Sequence, residues 1–255
     1  MRKAWMATAA MLAALTTSGC VLVVSGDGDK DFNEFKNSDG FRGLDRDGSY
    51  SRIGGDIDLR GRVGGDLSLI SGDVTADALE VGGDVSLAAG DVDFTGSVGG
   101  EASVAAGDVD WSADVGDELS IAAGELNVAG HIVGDASLAA GEMTLAATFD
   151  DGLSAAADEI YMAGRVRGEL TLVAANKIRN RRRDEVSHGR IELSGEIVDG
   201  GEVCTRTLRL TSTANVSGTL RVWAEETPSI DAGADSGNLV FEARDGRDCD
   251  DILDR

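Results

Sequence analysis

The chain is poor in the side chains on which most enzyme sites depend. Its 255 residues include only 2 His, 3 Cys, 3 Trp, 2 Tyr and 6 Phe. The sequence contains no serine elbow, no phosphate-binding glycine loop and no zinc-ligand spacing. Cleavage of a glycosidic bond needs two positioned carboxylates or a metal with a base, in a groove that normally offers aromatic platforms. The shortage of rings therefore argues against a polysaccharide enzyme, and we predict a protein without catalytic activity or cofactor.

Positive charge is also scarce. The 23 Lys and Arg residues are outnumbered by 46 Asp and Glu residues, which gives a formal net charge of -23. A surface of this sign repels the phosphate backbone, so nucleic acid is not an expected partner.

Hydrophobic residues recur along the chain with a period of 17 positions, in the series Val81, Val98, Val115, Ile132, Phe149 and Val166. A repeat of this length is too short for a pair of helices but suits one turn of a β-solenoid. The predicted fold class is therefore all-β, a single-stranded, three-sided β-helix (β-solenoid) with about 17 residues per rung.

When the units are stacked, further apolar columns appear. They are Leu87, Val104, Ile121 and Leu138; Val92, Val109, Leu126, Met143 and Ile160; Phe94, Trp111, Val128, Leu145 and Met162; and Val85, Ala102, Leu119, Ala136, Leu153 and Leu170. The last column alternates with serines, which is the period of two expected of strands with one buried face. Glycines interrupt the apolar positions at the corners, where they are predicted to supply positive φ. Three short strands per rung are predicted.

The spacing also distinguishes this chain from a known class of β-helix enzymes. Left-handed β-helix acyltransferases repeat a hexapeptide and commonly use a histidine. Here the steps between Val81, Leu87, Val92 and Val98 are six, five and six residues. The two histidines, His131 and His188, are predicted to be solvated side chains.

The N-terminus has the pattern of an export signal. Arg2 and Lys3 precede an apolar run over residues 4–15, and small residues at 17–19 precede Cys20. This segment resembles a bacterial lipoprotein signal peptide. The resemblance implies that Cys20 is acylated and becomes the mature N-terminus, although Thr17 departs from the usual leucine. An uncleaved membrane anchor that extends through residues 21–24 and a plain cleaved signal are the alternatives.

The signal divides the chain into four predicted segments. They are a signal peptide over 1–19, a lipid-anchored flexible linker over 20–50, the β-helix over 51–243 with a basic loop inserted at 177–190, and a polar tail over 244–255. Val21 follows the lipidation site where aspartate would signal inner-membrane retention. We therefore expect an outer-membrane lipoprotein of the cell envelope that faces the periplasm or the surface, with inner-membrane anchoring as the alternative.

Export also bears on the two remaining cysteines. Because an oxidising compartment favours pairing, a disulfide between Cys204 and Cys249 is predicted. The alternative is two unpaired thiols.

The repeat places many carboxylates in columns at two corners. One column holds Asp73, Asp91, Asp108, Glu125, Glu142 and Glu159, and the other holds Asp66, Asp84, Glu101, Glu118, Asp135 and Glu169. Asp91, Asp108 and Glu125 are weak candidates for calcium or magnesium ligands, since hard cations favour clustered oxygens. A solvated corner is favoured instead, so no metal is predicted.

The inserted loop reverses the charge of its surroundings. It carries Arg179, Arg181, Arg182 and Arg183, and it delays the rung expected at residue 183 until Ile197. These guanidinium groups are predicted to bind the acidic corner of a neighbouring copy or an anionic envelope polymer. A solvated loop without a partner is an equal alternative.

The run Val81-Gly82-Gly83-Asp84-Val85-Ser86-Leu87 and the later Val216-Ser217-Gly218-Thr219-Leu220 resemble the bactofilin family of polymer-forming bacterial proteins. The resemblance covers residues 51–243 and implies a scaffold without catalysis that assembles into a homo-oligomer or filament, often beside the envelope. Bactofilins are chiefly cytoplasmic and lack a secretory signal, so this chain would be an exported relative. A monomeric surface adhesin or a cation- or polysaccharide-binding module is the alternative, and a polysaccharide-active β-helix enzyme is the least favoured one.

Overall fold

The computed structural model describes residues 35–36, 42–174 and 189–253. These residues form an all-β solenoid of about eleven turns with about 17 residues per rung, which confirms the predicted fold class. Apart from the first pairing in the chain, every strand pairing among them is parallel and joins one rung to the next.

The rungs contribute to two sheets. The 17-stranded sheet contains β1 (Phe35–Lys36), β2 (Arg42–Arg46), β4 (Ile57–Val63), β6 (Asp73–Val81), β8 (Asp91–Val98), β10 (Asp108–Val115), β12 (Glu125–Ala129), β13 (His131–Ile132), β15 (Glu142–Leu145), β16 (Thr148–Phe149), β18 (Glu159–Met162), β19 (Arg165–Val166), β21 (Arg190–Leu193), β22 (Glu196–Ile197), β24 (Thr207–Leu210), β25 (Asn215–Val216) and β27 (Ser229–Ile230). The 11-stranded sheet contains β3 (Tyr50–Ile53), β5 (Leu67–Ile70), β7 (Val85–Ala88), β9 (Ala102–Ala105), β11 (Leu119–Ala122), β14 (Ala136–Ala139), β17 (Leu153–Ala157), β20 (Leu170–Ala174), β23 (Gly200–Thr205), β26 (Thr219–Ala224) and β28 (Asn238–Ala243).

The larger sheet bends around two sides of the solenoid. In the early rungs one long strand covers both sides, whereas from β12 onward a turn splits it into two strands. Gly96 marks the bend in β8, with φ of +136°. A methyl group at this position would overlap the carbonyl oxygen of Leu79 in the preceding rung. Glycine is therefore required both for the backbone conformation and for the close approach of the next rung. The corner glycines of the regular rungs, such as Gly82 and Gly90, do not have positive φ, so that part of the prediction was wrong.

The core consists of the apolar columns that the repeat predicts. The pairings Val92 to Val109 and Leu119 to Ala136, and their counterparts in other rungs, place like positions above one another, and the side chains of these columns are buried. Phe94 and Trp111 stack with ring centroids 4.5 Å apart. Such stacking adds to the apolar area that each ring removes from water.

Two irregularities in the repeat have local explanations. Val63 pairs with Val81 although the unit between them is one residue longer than the repeat, because a bulge lies between Ala76 and Leu79. The inserted loop leaves the register intact, since Val166 pairs with Ile197. The strand after the insertion begins at Arg190, the last residue of the predicted loop, and residues 175–188 lie outside the described part of the chain.

The N-terminal boundary of the solenoid differs from the prediction. Strand β2 pairs in parallel with β4, so the solenoid already includes residues 42–46 of the predicted linker. Leu44 and Tyr50 are buried there. This rung was not predicted because it has few apolar residues and carries arginine at positions 42, 46 and 52, where the following rung has Leu59, Val63 and Leu69.

The C-terminal segment is not simply a polar tail. Its residues include a short helix, α1 (Cys249–Leu253), in which Cys249 and Ile252 are buried. The helix packs against Val173 and Trp223 on the outer side of the 11-stranded sheet. No helix in the described residues is long and apolar enough to cross a membrane.

We expect the Gly96→Ala substitution to lower the free energy of unfolding by about 1–3 kcal/mol, because alanine is strained at this φ and lacks room. Urea denaturation would measure the change. Gly48→Ala is the matched control, since a methyl group at Gly48 has no neighbour within 4 Å. Equal effects of the two substitutions would contradict the account of the bend.

Candidate interaction surfaces

Several predicted site residues lie outside the described part of the chain. They are Cys20, Arg179, Arg181, Arg182, Arg183 and His188. Lipidation at Cys20 and binding by the basic cluster therefore stay predictions. The surfaces that can be described are two acidic ladders, a serine face, a disulfide-linked helix and the two ends of the solenoid.

The first acidic ladder is the predicted column Asp73, Asp91, Asp108, Glu125, Glu142 and Glu159. Each member pairs with the next in register, and Glu159 in turn pairs with Arg190. The weak metal candidates Asp91, Asp108 and Glu125 occupy successive rungs of this ladder. The Asp91 amide donates to the Asp73 carboxylate over 3.3 Å, so part of that carboxylate holds the corner together.

A shallow groove of about 340 Å³ lies beside the first ladder. Asp93 and Asp110, which point outward from the neighbouring column, join Asp73, Asp91 and Asp108 in lining it. Asn127 continues this column and donates to Asp110 over 2.8 Å. Within residues 42–174 and 189–253, no group of three or more His, Cys, Asp or Glu side chains has an arrangement that could hold a metal ion. The groove therefore offers diffuse negative charge.

The second acidic ladder is the predicted column Asp66, Asp84, Glu101, Glu118, Asp135 and Glu169. The amide of Asp84 donates to Asp66 over 3.2 Å, and the amide of Glu101 donates to Asp84 over 3.0 Å. Partial desolvation raises the pKa of Glu118 above its ordinary value, and the negative charges of Glu101, Asp135 and Asp117 raise it further. Repulsion between like charges one rung apart therefore lowers the stability of the folded chain at neutral pH.

The serine face is the outer surface of the 11-stranded sheet from β3 to β20. One of its columns holds Ser51, Ser68, Ser86, Ser103, Ser120, Ser137, Ser154 and Thr171. The neighbouring outward column is alanine from Ala88 to Ala156. No charged side chain lies in these two columns between β7 and β17, although the chain is strongly acidic. A flat, uncharged band therefore runs along an otherwise acidic solenoid.

A disulfide joins Cys204 to Cys249, the two cysteines that the sequence analysis pairs. The sulfur atoms are 2.06 Å apart, and the bond connects residues separated by 45 positions. Cys204 points outward from β23 and is covered by α1, so the bond holds the helix on the side of the solenoid. Arg244, itself buried, donates to the carbonyl of Thr205 and the carboxylate of Glu225.

The N-terminal end of the solenoid has polar side chains where later rungs have apolar ones. Arg46 lies in the column of Val63, and Arg52 lies in the column of Leu69. The Arg46 guanidinium lies 5.8 Å from the centre of the Tyr50 ring. In the 17-stranded sheet, β1 pairs antiparallel with β2 and covers part of its edge. Charge directed into the core position is one way in which natural sheets prevent pairing at an edge.

The C-terminal end has the opposite character. Ile230 continues the buried column of Leu193 and Leu210, yet 48% of its surface is exposed. Leu239 and Phe241 continue the columns of Leu220 and Val222 and are only partly buried. The core of the last rung is therefore open on the side away from the solenoid. This contrast between the ends was not predicted, although counting one repeat back from Val63 and Leu69 leads to Arg46 and Arg52.

Two partly exposed aromatic side chains, Tyr161 and Trp223, and the exposed His131 have partners in the structure. The Tyr161 hydroxyl donates to Glu159 over 2.8 Å, and the Trp223 indole donates to Glu242 over 3.3 Å. His131 contacts Asp150 with 2.7 Å between Nε2 and Oδ2. Neither of the two aromatic rings is free to serve as a flat platform for a sugar, because each is half-buried and held in place.

The raised pKa of Glu118 predicts a pH-dependent effect of Glu118→Gln. Because the folded state disfavours the charged form, the free energy of unfolding falls as the pH rises through the raised pKa. We expect the variant to have a higher urea midpoint than the natural protein at pH 7 and little advantage at pH 3, where both side chains are neutral. Asp58→Asn, outside the ladder, controls for net charge. An equal gain in the control would contradict repulsion within the ladder.

Comparison with known proteins finds no matching protein family, no matching curated protein and no matching solved structure. The resemblance to bactofilins therefore stays a prediction based on the glycine-valine rhythm of the rungs.

Proposed function

We propose that the chain is a non-catalytic structural rod of the bacterial cell envelope, anchored at its N-terminus through a lipid on Cys20. The repetition of its outer surface is the observation that carries this proposal. Several outward columns present like residues over many rungs, as in the serine face and the two ladders. Catalytic sites instead bring unlike groups together in one concave pocket.

Export is supported by the disulfide near the C-terminus. A buried disulfide that fixes a helix to the solenoid is typical of proteins from oxidising compartments and rare in the cytosol. The N-terminal basic, apolar and small-residue pattern before Cys20 is consistent with the same compartment. Together they favour an envelope location over the cytoplasmic one usual for bactofilins.

A repeated surface suits a scaffold because weak contacts of one kind can recur along its length. Several identical contacts made by one partner add their effects when the spacing matches. The serine face provides this regularity without charge, and the acidic ladders repel anionic partners on either side of it. The partner favoured by this surface is therefore neutral or basic, and it contacts several rungs at once.

Anchoring can be tested by metabolic labelling with palmitate in a Gram-negative host. We expect the full chain to take up label and to partition with membranes, whereas Cys20→Ser should take up none, because acylation needs the thiol. Membrane partition of both proteins without label would contradict lipidation and favour the uncleaved anchor. The unchanged Cys204–Cys249 disulfide in the variant would verify that its folding is intact.

A cation-binding module is the second candidate function, because five carboxylates line the groove beside the first ladder. A specific site predicts a saturable rise in the unfolding temperature, and the added stability reaches about 2.7 kcal/mol when the ligand is at 100 times its Kd. The structural rod predicts equal unfolding temperatures in calcium chloride and magnesium chloride at matched ionic strength, because diffuse screening does not distinguish the two divalent ions. A calcium-specific rise that is lost in Asp91→Asn with Asp108→Asn would overturn the rod in favour of the binding module.

A further inference from the structure

The C-terminal end of the solenoid has the features of an interface rather than of a finished surface. Strand β28 pairs with β26 on one side, and among the described strands none pairs with its other side. An unpaired strand edge presents a row of backbone donors and acceptors that another strand can satisfy. The exposed fraction of Ile230 is 48%, against 0% for Leu210 one rung earlier.

The backbone of β28 identifies which groups are available. The amides of Asn238 and Arg244 donate toward the preceding rung, to Gly218 and Ala224. Successive residues in a strand direct their backbone groups to opposite edges. The amides and carbonyls of Leu239 and Phe241 therefore face the open edge, and the side chains of the same two residues point into the core.

We propose that a second copy of this chain binds at this edge, so that the two β28 strands pair antiparallel about a two-fold axis at Val240. In this register Leu239 of one copy lies opposite Phe241 of the other, and the four resulting backbone hydrogen bonds use the groups that face the edge. The two cores then become continuous. Glu242 lies opposite Asn238, so no two carboxylates face each other across the β28 pair.

The difference between the apolar C-terminal end and the charged N-terminal end limits the number of copies in the assembly. A two-fold contact uses the same surface on both copies and closes on itself. Continued growth would need adhesion at the N-terminal end, where Arg46 and Arg52 occupy core columns and β1 covers an edge. Stacking an apolar rung on those guanidinium groups would bury charge at high cost. The contact therefore produces a dimer with its N-terminal ends outermost, and it does not produce a filament.

Engineered cysteines test the position of the axis. Residues opposite each other at a non-hydrogen-bonded antiparallel position have Cα atoms about 4.5 Å apart, within the range of a disulfide. In the full chain, purified in mild detergent and gently oxidised, we expect Val240→Cys to form a covalent dimer. Arg221→Cys is the matched control, because it is exposed on the same outward column one rung away from the axis. Equal cross-linking of both variants, or of neither, would overturn the proposed register.

Charge substitutions at the axis test the contact without covalent bonds. Val240 is 41% exposed, so Val240→Glu and Val240→Lys should fold, and cooperative unfolding would verify this. Like charges opposite each other destabilise strand pairing. We expect each variant to raise the dimer dissociation constant at least about fivefold in sedimentation equilibrium, while an equal mixture of the two restores it and Val240→Thr leaves it unchanged.

Three results would contradict the proposal. They are a natural protein that is monomeric at every concentration, charge variants that dissociate no more readily than Val240→Thr, and particles that grow beyond two copies. The last result would place adhesion at the N-terminal end as well. None of these measurements depends on lipidation of Cys20, so a failure of the dimer and a failure of the proposed anchoring can be told apart.

Discussion

The backbone hydrogen bonds that join each rung to the next are the constraint on which the rest of the structure depends. Parallel pairing in register places every residue directly above its counterpart in the preceding rung. Apolar residues therefore form columns in the core, and outward-facing side chains are stacked in columns as well. The same rule that aligns Val92 with Val109 also stacks Asp91 on Asp108. The acidic ladders are thus a consequence of the register, and their mutual repulsion is a cost that the apolar columns offset.

The two ends of the solenoid differ in how the terminal rung is covered. A rung in the middle pairs and packs with a rung on each side, but a terminal rung has a neighbouring rung on one side only. At the N-terminus, arginines and an antiparallel strand occupy the other side. At the C-terminus, α1 is held by its disulfide on the flank of the sheet, where it leaves the edge of β28 uncovered. One end is therefore closed by charge, and the other remains apolar.

Most of the fold could be predicted from the sequence because the repeat is strong and regular in the middle of the chain. The columns that begin with Val85 and Val92 follow directly from the 17-residue period. The same period, extended across the insertion, matches Val166 with Ile197. The first rung escaped prediction because Arg46 and Arg52 replace apolar residues, so hydropathy gave no signal there. Helix α1 escaped it because so short a helix has too few turns to show a period. The open C-terminal core could not be predicted, since exposure of Ile230 depends on the absence of a covering rung among the described residues.

The similarity of the central rungs also bears on how the length of this protein can change in evolution. The run Ser-x-Ala-Ala-Gly recurs in four successive rungs, at residues 86–90, 103–107, 120–124 and 137–141. Where coding segments are also similar, unequal recombination adds or removes whole repeat units. A gene altered in this way still encodes matched columns and two intact ends. The length of the solenoid can therefore change in steps of one rung while the register of its columns is kept.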